Sequence, residues 1–366
     1  MSDRVIPRAL VMAGGTGGHI FPGLAVADAL RKQNWHVEWL GAPASMEARI
    51  IPPQGIPFNT IAFSGVRGKG ILTKLLAPLR LARATMSALA LMRRFKPSVV
   101  VGLGGFITVP GAIAAWLSGC PIILHEQNAV AGLSNRLIGM VARRKFAAFP
   151  HALKDAEWIG NPLRTAFLDQ DEPSQRYRRI EGPLRLLVLG GSLGATALNE
   201  LVPQALAMLP NGQKPLVMHQ SGERHLSSLQ ASYAAAGIRA EDGPDAQATL
   251  CAFIEDVAVA MAQADLVICR AGASTVTEVS AVGVAALFVP FPHAVDDHQT
   301  ANAQFLVAKD AAWLRQQRDF TPQQLADFLM HIDREQLTER AVRAKAMAKT
   351  QAVQVMVEAC EVFIKS

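Results

Sequence analysis

Short, uninterrupted apolar runs alternate along the chain with longer stretches in which apolar residues recur at helical spacing. The runs Ala9–Ala13, Val99–Val101 and Pro121–Leu124 are too short for helices. They are typical of strands that are buried on both faces of a parallel sheet. Because helical stretches separate these runs, the pattern predicts an α/β fold.

One unit of this pattern, a strand followed by a glycine loop and a helix, occurs twice. The two loops begin at Gly14 and Gly190, 176 residues apart. Pro22 is expected to open the first helix, and the second is expected from about Thr196. A chain of 366 residues is long enough for two domains, and the composition of residues 160–164 is that of a hinge. We therefore predict two Rossmann-like parallel-sheet domains that face each other across a cleft.

The positive charge is concentrated in one part of the chain. Residues 48–154 contain 14 Lys and Arg and a single acid, Glu126, so this stretch carries +13 while the whole chain carries +6. The stretch has few aromatic residues that could stack on bases and no zinc-finger or RNP pattern, which argues against nucleic acid as a partner. A phosphorylated ligand or an anionic membrane surface fits the charge better.

The segment Lys69–Arg80 is both basic and rich in leucine. Its apolar side chains at 71–76 are expected to be exposed and to dip into a bilayer whose headgroups the cations meet, with Trp116 as a neighbour. From Pro78 to about Phe95 we predict an ordinary helix on the sheet, with three buried residues: Leu79, Met86 and Leu89.

No membrane span, export signal or disulfide framework is expected. Residues 99–124 carry no charge, but five glycines and two prolines interrupt them. The first residues lack the apolar core and cleavage site of a signal peptide. The four cysteines lie far apart without CxxC or zinc spacing, which fits a reduced, cytosolic protein.

The two glycine loops are suited to binding a diphosphate. Without side chains the backbone can approach the ligand closely, and N–H groups at the helix N-terminus point at its charge. Ile20 stands where the dinucleotide fingerprint needs its third glycine, no acid follows the second strand, and GxxxxGK[ST] is absent. A nicotinamide dehydrogenase and a P-loop NTPase are therefore disfavoured, while glycine turns that only pack a helix on a strand remain an alternative for either loop alone.

Three polar groups follow predicted strands or start helices. His19 lies at the start of a helix, either as a neutral base or as a residue that caps backbone groups. His125–Asn128 follows a buried strand at its carboxyl end, where open α/β sheets bind ligands. Cys269–Glu278 follows another strand, and we place Glu278 on the first helical turn, either to bind two ribose hydroxyls or to favour the helix dipole.

Seven motifs occur in an order that resembles a known family: GGTGGHIFPGLAVA, GGF, HEQNAVAGLSNR, GNPLR, GGSLGA, CRAGASTVTE and DDHQTANA. From Gly14 to the C-terminal helix, the chain closely resembles the MurG family of bacterial cell-wall glycosyltransferases. The resemblance implies a GT-B fold with an acceptor-binding and membrane-facing domain at 1–163 and a UDP-sugar-binding domain at 164–339. It also implies that a C-terminal helix at about 340–366 packs back onto the first domain.

The resemblance implies an inverting N-acetylglucosaminyltransferase. The sugar of UDP-N-acetylglucosamine would move to the 4-hydroxyl of undecaprenyl-pyrophosphoryl-N-acetylmuramoyl pentapeptide (lipid I), forming a β1,4 bond and giving lipid II for peptidoglycan synthesis. A UDP-N-acetylglucosamine 2-epimerase-like enzyme of the same fold is the alternative, and a non-catalytic donor-binding subunit is a second. Activity that depends on a lipid-linked acceptor separates the transferase from both.

The resemblance also assigns residues. His19 would be the catalytic base, and Glu126 is the second candidate for that role. In the UDP-sugar site Ile254 would contact uracil, Glu278 the ribose, Ser192 the diphosphate, and Asn128 and Gln299 the sugar hydroxyls. The remaining substrate-binding residues would be Thr16, Gly17, Gly18, Arg164, Ala273, Ser274, Thr275, Val276 and Thr277. The acceptor diphosphate would be held by Gly14, Gly15, Gly104, Gly105 and Phe106, the last of which is Tyr in some family members.

No cofactor or catalytic metal is expected, because backbone N–H groups and a helix dipole can stabilise the leaving UDP. Asp296–Asp297 is the nearest approach to a DxD pair. The implied partners are UDP-N-acetylglucosamine, the lipid-linked muramyl pentapeptide, an anionic membrane surface, and cell-wall and division proteins. The implied location is peripheral, on the cytoplasmic face of the bacterial inner membrane.

Overall fold

The computed structural model describes residues 6–63, 75–179, 182–191, 194–240 and 246–364. The chain forms two compact units, which are called unit 1 (Met1–Arg164 with Lys349–Ser366) and unit 2 (Thr165–Ala348). The backbone therefore passes between the units twice, after Arg164 and after Ala348.

Unit 1 is built on a seven-stranded sheet in which every pairing is parallel. Its strands are β1 (Arg8–Ala13), β2 (His36–Gly41), β3 (Phe58–Thr60), β4 (Val99–Gly104), β5 (Ile122–Glu126), β6 (Arg144–Ala147) and β7 (Glu157–Trp158). Its helices in the first part of the chain are α1 (Gly17–Lys32), α2 (Met46–Ile50), α3 (Ala77–Phe95), α4 (Thr108–Leu117) and α5 (Leu133–Ile138). The spatial order of the strands is β3-β2-β1-β4-β5-β6-β7.

Unit 2 has a six-stranded sheet, again wholly parallel. Its strands are β8 (Arg185–Leu189), β9 (Leu216–Gln220), β10 (Ala248–Cys251), β11 (Leu266–Cys269), β12 (Ala285–Phe288) and β13 (Trp313–Leu314). Its helices are α6 (Pro173–Arg179), α7 (Thr196–Ala207), α8 (Leu226–Ala235), α9 (Val257–Gln263), α10 (Ala273–Val282), α11 (His298–Val307), α12 (Pro322–His331) and α13 (Arg334–Ala346). The order β10-β9-β8-β11-β12-β13 repeats that of unit 1, which confirms the prediction of two Rossmann-like parallel sheets.

The strands are apolar on both faces because helices cover both. Ala9 and Val11 of β1 pack on one face of the sheet with α1, whereas Leu10 and Met12 pack on the other with α3 and α4. In both units the strand order reverses around the first strand, between β1 and β4 and between β8 and β11. Loops at the carboxyl ends of such a strand pair diverge and leave a crevice, where doubly wound sheets bind ligands.

The first helix begins earlier than predicted. It starts at Gly17, with Thr16 as an extended N-cap, and Pro22 lies inside it. Proline lacks an N–H, so the Gly18 carbonyl cannot receive the usual helical bond from residue 22. The preference of proline for the first turn placed the predicted start of the helix five residues too late.

The predicted burial of α3 is wrong for two of its three residues. Leu79 and Met86 are 69% and 70% exposed, and Leu89 is partly buried. The face on the sheet is instead formed by Ala84, Thr85, Ala88, Leu91, Met92 and Phe95. These residues recur at intervals of three and four, and Met86 lies on the opposite side of the same helix.

The predicted C-terminal helix is divided into two. Helix α13 ends at Ala346 and packs on α6 and α10 within unit 2. The final helix α14 (Ala352–Glu361) packs on α1 within unit 1, where Met356, Val357 and Cys360 join its core. Residues 340–348 therefore belong to unit 2, because the apolar stripe of α13 faces that core. No helix among the described residues is both long enough and apolar enough to span a bilayer.

Candidate functional site

In unit 1 the loops that follow β1 and β4 touch through their backbones. The Gly14 N–H donates to the Gly104 carbonyl, with an N to O distance of 3.3 Å. Gly104 and Gly105 have φ of +103° and +94°, and a Cβ on Gly105 would overlap the Gly14 carbonyl oxygen. Only glycine allows this approach, so neither loop can carry a side chain at the point of contact.

His19 lies on the first turn of α1 and points back at this contact. Its Nδ1 is 3.1 Å from the Gly14 carbonyl oxygen and 3.5 Å from the Thr16 hydroxyl. A Cβ at Gly104 would lie 3.1 Å from its Nε2. A carbonyl oxygen can only accept, so the contact to Gly14 requires a proton on Nδ1 and leaves the lone pair of the neutral ring on Nε2.

A buried carboxylate that sequence analysis did not single out contacts the first glycine loop. Glu47, on α2, is 1% exposed. Its Oε2 accepts the Gly15 N–H at 3.2 Å and its Oε1 accepts the Ala42 N–H at 3.1 Å. A Cβ on Gly14 would be 2.6 Å from Oε1, and one on Gly41 would be 2.7 Å from Cγ. The two glycines therefore make room for this carboxylate.

A second buried carboxylate, Glu126, organises the loop after β5. It is 1% exposed. Oε1 accepts from the backbone N–H of Asn128 at 2.8 Å and from its side-chain amide at 3.4 Å. Oε2 accepts from the Asn135 amide at 2.9 Å and from the Gly132 N–H at 3.2 Å. Both oxygens are thus engaged by the loop that carries Asn128.

The histidine before it, His125, is fully buried at the end of β5. Its Nε2 donates to the Gly160 carbonyl at 2.8 Å, and its Nδ1 accepts from the Gln127 amide at 3.2 Å. Burial lowers the pKa of His125 to about 4. The neutral ring therefore joins the end of the sheet to the segment that leads out of unit 1.

In unit 2 the loop between β8 and α7 is again glycine-rich. Gly191 and Gly194 have φ of +81° and +77°, and a Cβ on Gly194 would overlap the Ser221 carbonyl oxygen. Ser192 lies outside the described residues. Beneath the loop the buried His219 contacts Tyr233 Oη at 3.0 Å and Asn199 Oδ1 at 3.1 Å.

The second loop of unit 2 connects β11 to α10 and is held by two side chains of α11. Gln299 Oε1 accepts the N–H groups of Ala271 at 3.3 Å and Phe291 at 2.9 Å. Asn302, fully buried, donates from Nδ2 to the Ala271 carbonyl at 3.2 Å. The amide oxygen of Gln299 thus accepts from two different loops.

Helix α10 carries the other predicted donor residues, and one position differs from the prediction. The helix begins at Ala273 with Gly272 as an extended N-cap, so Glu278 is its sixth residue and lies on the second turn. Residues 273–275 already have helical geometry. Interaction of Glu278 with the helix dipole is correspondingly weaker, while its half-buried carboxylate stays accessible.

The structure places the remaining predicted residues individually. Phe106 is exposed after β4, and Ile254 is buried between β10 and α9. The exposed Arg164 lies at the end of the first part of unit 1, with its guanidinium 5.8 Å from the centroid of the Phe21 ring. Among the described residues no group of three or more His, Cys, Asp or Glu could hold a metal ion.

The predicted residues therefore form two groups, one in each unit. In unit 1 the loops after β1 and β4 bring residues 14–19 together with Gly104 and Gly105, and the loop after β5 carries Glu126 and Asn128. In unit 2 residues 273–278 adjoin Gln299. Sequence reasoning did not single out the supporting side chains Glu47, Asn135, Asn199, His219 and Asn302, because a polar residue in a helix or strand gives no signal of its tertiary contacts.

Comparison with known proteins agrees with this arrangement. Residues 9–147 match the glycosyltransferase family 28 N-terminal domain, and residues 185–358 match the C-terminal domain of that family. A protein of Paracidovorax citrulli (strain AAC00-1) is 59% identical over 97% of this chain and 98% of its own length. It is named UDP-N-acetylglucosamine--N-acetylmuramyl-(pentapeptide) pyrophosphoryl-undecaprenol N-acetylglucosamine transferase. The chain belongs to the MurG family.

Two further relatives agree. A protein of the same name from Polaromonas naphthalenivorans (strain CJ2) is 58% identical and covers 96% of this chain and 97% of its own. The crystal structure of Acinetobacter baumannii MurG is 43% identical, with a TM-score of 0.83 over 97% of this chain and 99% of that one. These relatives and the two sheets confirm the predicted GT-B fold.

The backbone contact between the two loops of unit 1 predicts a large effect of a single methyl group. Gly105→Ala should lower the free energy of unfolding by at least about 3 kcal/mol, because its Cβ must displace the Gly14 peptide in addition to the cost of positive φ. The matched control is Gly119→Ala, at φ +69° with open space around the new methyl, which should cost only about 1 kcal/mol. Urea unfolding followed by tryptophan fluorescence measures both, and equal costs would contradict the contact.

Two buried neutral histidines predict acid sensitivity. Burial lowers the pKa of His219 to about 3 and that of His125 to about 4, from an ordinary value of 6.5. Between pH 6.5 and these values the unfolded chain binds protons that the folded chain does not, so stability is complete above pH 6.5 and falls as the pH falls. Each ring should contribute a loss of about 2 kcal/mol between pH 7.5 and pH 5.

The measurement is the free energy of urea unfolding at several pH values for the wild type and for His125→Gln and His219→Gln. Each variant should lose stability less steeply below pH 6.5 than the wild type does. A slope unchanged in both variants would show that these rings do not stay neutral in the fold.

Proposed function

We propose that this protein transfers N-acetylglucosamine from UDP-N-acetylglucosamine to the 4-hydroxyl of the muramyl residue of lipid I, with inversion, and so makes lipid II for peptidoglycan synthesis. The observation that carries the proposal is the 59% identity, over nearly the full length of both chains, to a protein named for this transfer. A UDP-N-acetylglucosamine 2-epimerase-like activity is not favoured, since the relatives described above are named as transferases or as MurG.

His19 is the proposed base that removes the proton of the acceptor hydroxyl. In support, its Nδ1 contacts the Gly14 carbonyl, which fixes the tautomer with the lone pair on Nε2. His19 lies at the N-terminus of α1, where the helix dipole opposes a positive charge.

Glu126 is a positioning residue in this proposal and is not the base. Its carboxylate is buried and accepts three hydrogen bonds from the loop that carries Asn128 and a fourth from Asn135 on α5. Taking a proton from a substrate would require breaking bonds that hold this loop. Its role is then to present Asn128 to a sugar hydroxyl.

The donor UDP-N-acetylglucosamine is proposed to bind mainly through unit 2. Glu278 accepts from the ribose hydroxyls, Ile254 contacts uracil, and residues 273–277 surround the nucleotide. Gln299 contacts the sugar as a donor from Nε2, because its Oε1 accepts two backbone N–H groups. Ser192 with its loop is proposed to contact the diphosphate.

The acceptor diphosphate is proposed to bind at the first glycine loop and at Gly104–Phe106. The N–H groups of Gly14 and Gly15 already donate to Gly104 and Glu47. The donors for an anion are therefore the first N–H groups of α1, at residues 16–18, which have no partner within the helix. Phe106 supplies an apolar surface without the hydroxyl of a tyrosine.

The leaving UDP is proposed to be stabilised by backbone N–H groups and helix N-termini, which hold developing negative charge without reorganising. That the enzyme needs no metal ion and no cofactor remains part of the proposal. Partners among cell-wall and division proteins likewise remain an expectation.

Unit 1 is proposed to bind the cytoplasmic face of the bacterial inner membrane through α3. Leu75, just before this helix, and Leu79, on its first turn, are 72% and 69% exposed, and Arg80 and Arg83 follow on the helix. Trp116 is also exposed, on the neighbouring helix α4. Exposed leucines beside cations match an anionic bilayer. Residues 64–74, which include the first half of the basic leucine-rich segment, lie outside the described residues.

The first test is release of UDP from UDP-N-acetylglucosamine by the purified protein, with and without a short-chain analogue of lipid I. Release should require the acceptor and yield a disaccharide. His19→Ala should lower kcat by at least about 100-fold while the dissociation constant for UDP-N-acetylglucosamine stays within about twofold.

His331→Ala, which changes an exposed histidine on α12, is the matched control and should keep the wild-type rate. UDP release without acceptor, together with an epimerised sugar, would refute the transferase. A wild-type rate in His19→Ala would refute only the assignment of the base.

The second test is co-sedimentation with vesicles of phosphatidylglycerol and phosphatidylcholine. The double variant Leu75→Ser, Leu79→Ser should bind anionic vesicles at least about tenfold more weakly, because it loses the apolar side chains that insert. The control double variant Met208→Ser, Leu216→Ser removes two exposed apolar side chains from unit 2 and should bind as the wild type does. Equal weakening in both would place the membrane contact elsewhere.

A further inference from the structure

One peptide group of unit 1 connects a buried carboxylate to the proposed base. The Gly15 N–H donates to Glu47 Oε2 at 3.2 Å, and the Gly14 carbonyl oxygen lies 3.1 Å from His19 Nδ1. This N–H and this carbonyl are the two ends of the same peptide, since Gly14 and Gly15 are adjacent. In a trans peptide they point in opposite directions, so Glu47 and His19 lie on opposite sides of it.

This peptide is flanked by glycine on both sides, which makes its orientation easy to reverse. Neither residue has a side chain to resist rotation of the peptide plane, and Gly15 already has φ +93°. In the reversed orientation the Gly15 N–H would face the imidazole. His19 Nδ1 would then have to accept, and the ring proton would move to Nε2, the atom proposed to take the acceptor proton.

Glu47 is placed to prevent this reversal. Its two oxygens accept from N–H groups of two different loops, at Gly15 and at Ala42, so the carboxylate cannot turn away from one without losing the other. Gly14 and Gly41 both lack the Cβ that would displace the carboxylate. The fold thus reserves space for a charge that holds a single peptide in one orientation.

Its charge has a second effect on the same peptide. A carboxylate that accepts the N–H polarises the peptide and increases the negative charge on the carbonyl oxygen. The carbonyl is then a stronger acceptor for Nδ1–H, which favours the tautomer with a basic Nε2. The arrangement resembles the pairing of a carboxylate with a catalytic histidine, except that a peptide lies between them.

We propose that Glu47 is a positioning residue of the transfer reaction, acting through the Gly14–Gly15 peptide to fix the tautomer and orientation of His19. The inference rests on the proposed function of His19 as the base. Glu47 itself touches neither substrate. It also takes the Gly15 N–H away from the donors that the first loop could offer to a diphosphate.

The test combines ¹⁵N NMR of the imidazole nitrogens with kinetics on the full chain. His19 is assigned by the signal lost in His19→Gln, and in the wild type it should carry its proton on Nδ1. Glu47→Gln presents an amide nitrogen to one of the two N–H groups, so the population with the proton on Nε2 should rise. We expect kcat to fall about 10- to 100-fold while the KM for UDP-N-acetylglucosamine stays within about twofold.

Glu38→Gln is the matched control. Glu38 is a half-buried carboxylate on the same sheet that accepts from the Asn59 amide at 2.8 Å, and its removal should change neither the His19 signal nor kcat. If His19 of the wild type carries its proton on Nε2, the proposal is wrong. This outcome is measured on the wild type alone, so it holds even if Glu47→Gln fails to fold. Glu47→Gln with an unchanged His19 tautomer, whatever its activity, would also overturn the proposal.

The NMR measurement needs no turnover. It therefore tests the role of Glu47 separately from the proposal that His19 is the base. A wild-type rate in His19→Ala would refute His19 as the base and remove the catalytic role proposed for Glu47. An altered tautomer with a reduced kcat in Glu47→Gln, together with an inactive His19→Ala, would support both.

Discussion

The close approach of two backbones at the reversal point of the first sheet governs the geometry of unit 1. The loops after β1 and β4 are bonded directly, from the Gly14 N–H to the Gly104 carbonyl. Because no side chain fits between them, the crevice is lined by peptide groups whose positions the strands determine. His19 inherits its orientation from this contact, since the same Gly14 residue holds its Nδ1.

Side-chain oxygens that accept two or more N–H groups recur around both crevices. Glu47 connects the loops after β1 and β2, Glu126 folds the loop after β5, and Gln299 connects the loops after β11 and β12. Each supplies internally the acceptors that buried loop N–H groups would otherwise lack. Irregular loops can therefore be rigid, which a site that positions a sugar and a hydroxyl requires.

The fold could be predicted from sequence because buried parallel strands such as Val99–Val101 leave an unmistakable apolar pattern, and because glycine loops mark their carboxyl ends. The helix boundaries were harder to predict. Pro22 lies inside α1, and Glu278 lies one turn later than expected. Local propensity cannot show that Gly17 and Ala273 already have helical geometry. The prediction of which α3 residues are buried was wrong for a different reason. Leu79 and Met86 are apolar but face away from the sheet.

For the site, residues in the glycine and HEQN motifs could be named in advance, whereas the groups that support them could not. Glu47 is one acid in an unremarkable short helix, and its importance arises only when β1 and β2 bring two loops onto it. Sequence pattern and fold do not assign a ligand to each residue. That assignment rests on the family resemblance and on the chemistry of the side chains.

The final helix has a consequence for how the protein is made. Met356, Val357 and Cys360 complete the core of unit 1 against α1, yet they follow the whole of unit 2 in the chain. On the ribosome, unit 2 can fold as soon as it emerges, whereas unit 1 must wait with the apolar face of α1 uncovered. The unit that is translated first is therefore the last to complete its core.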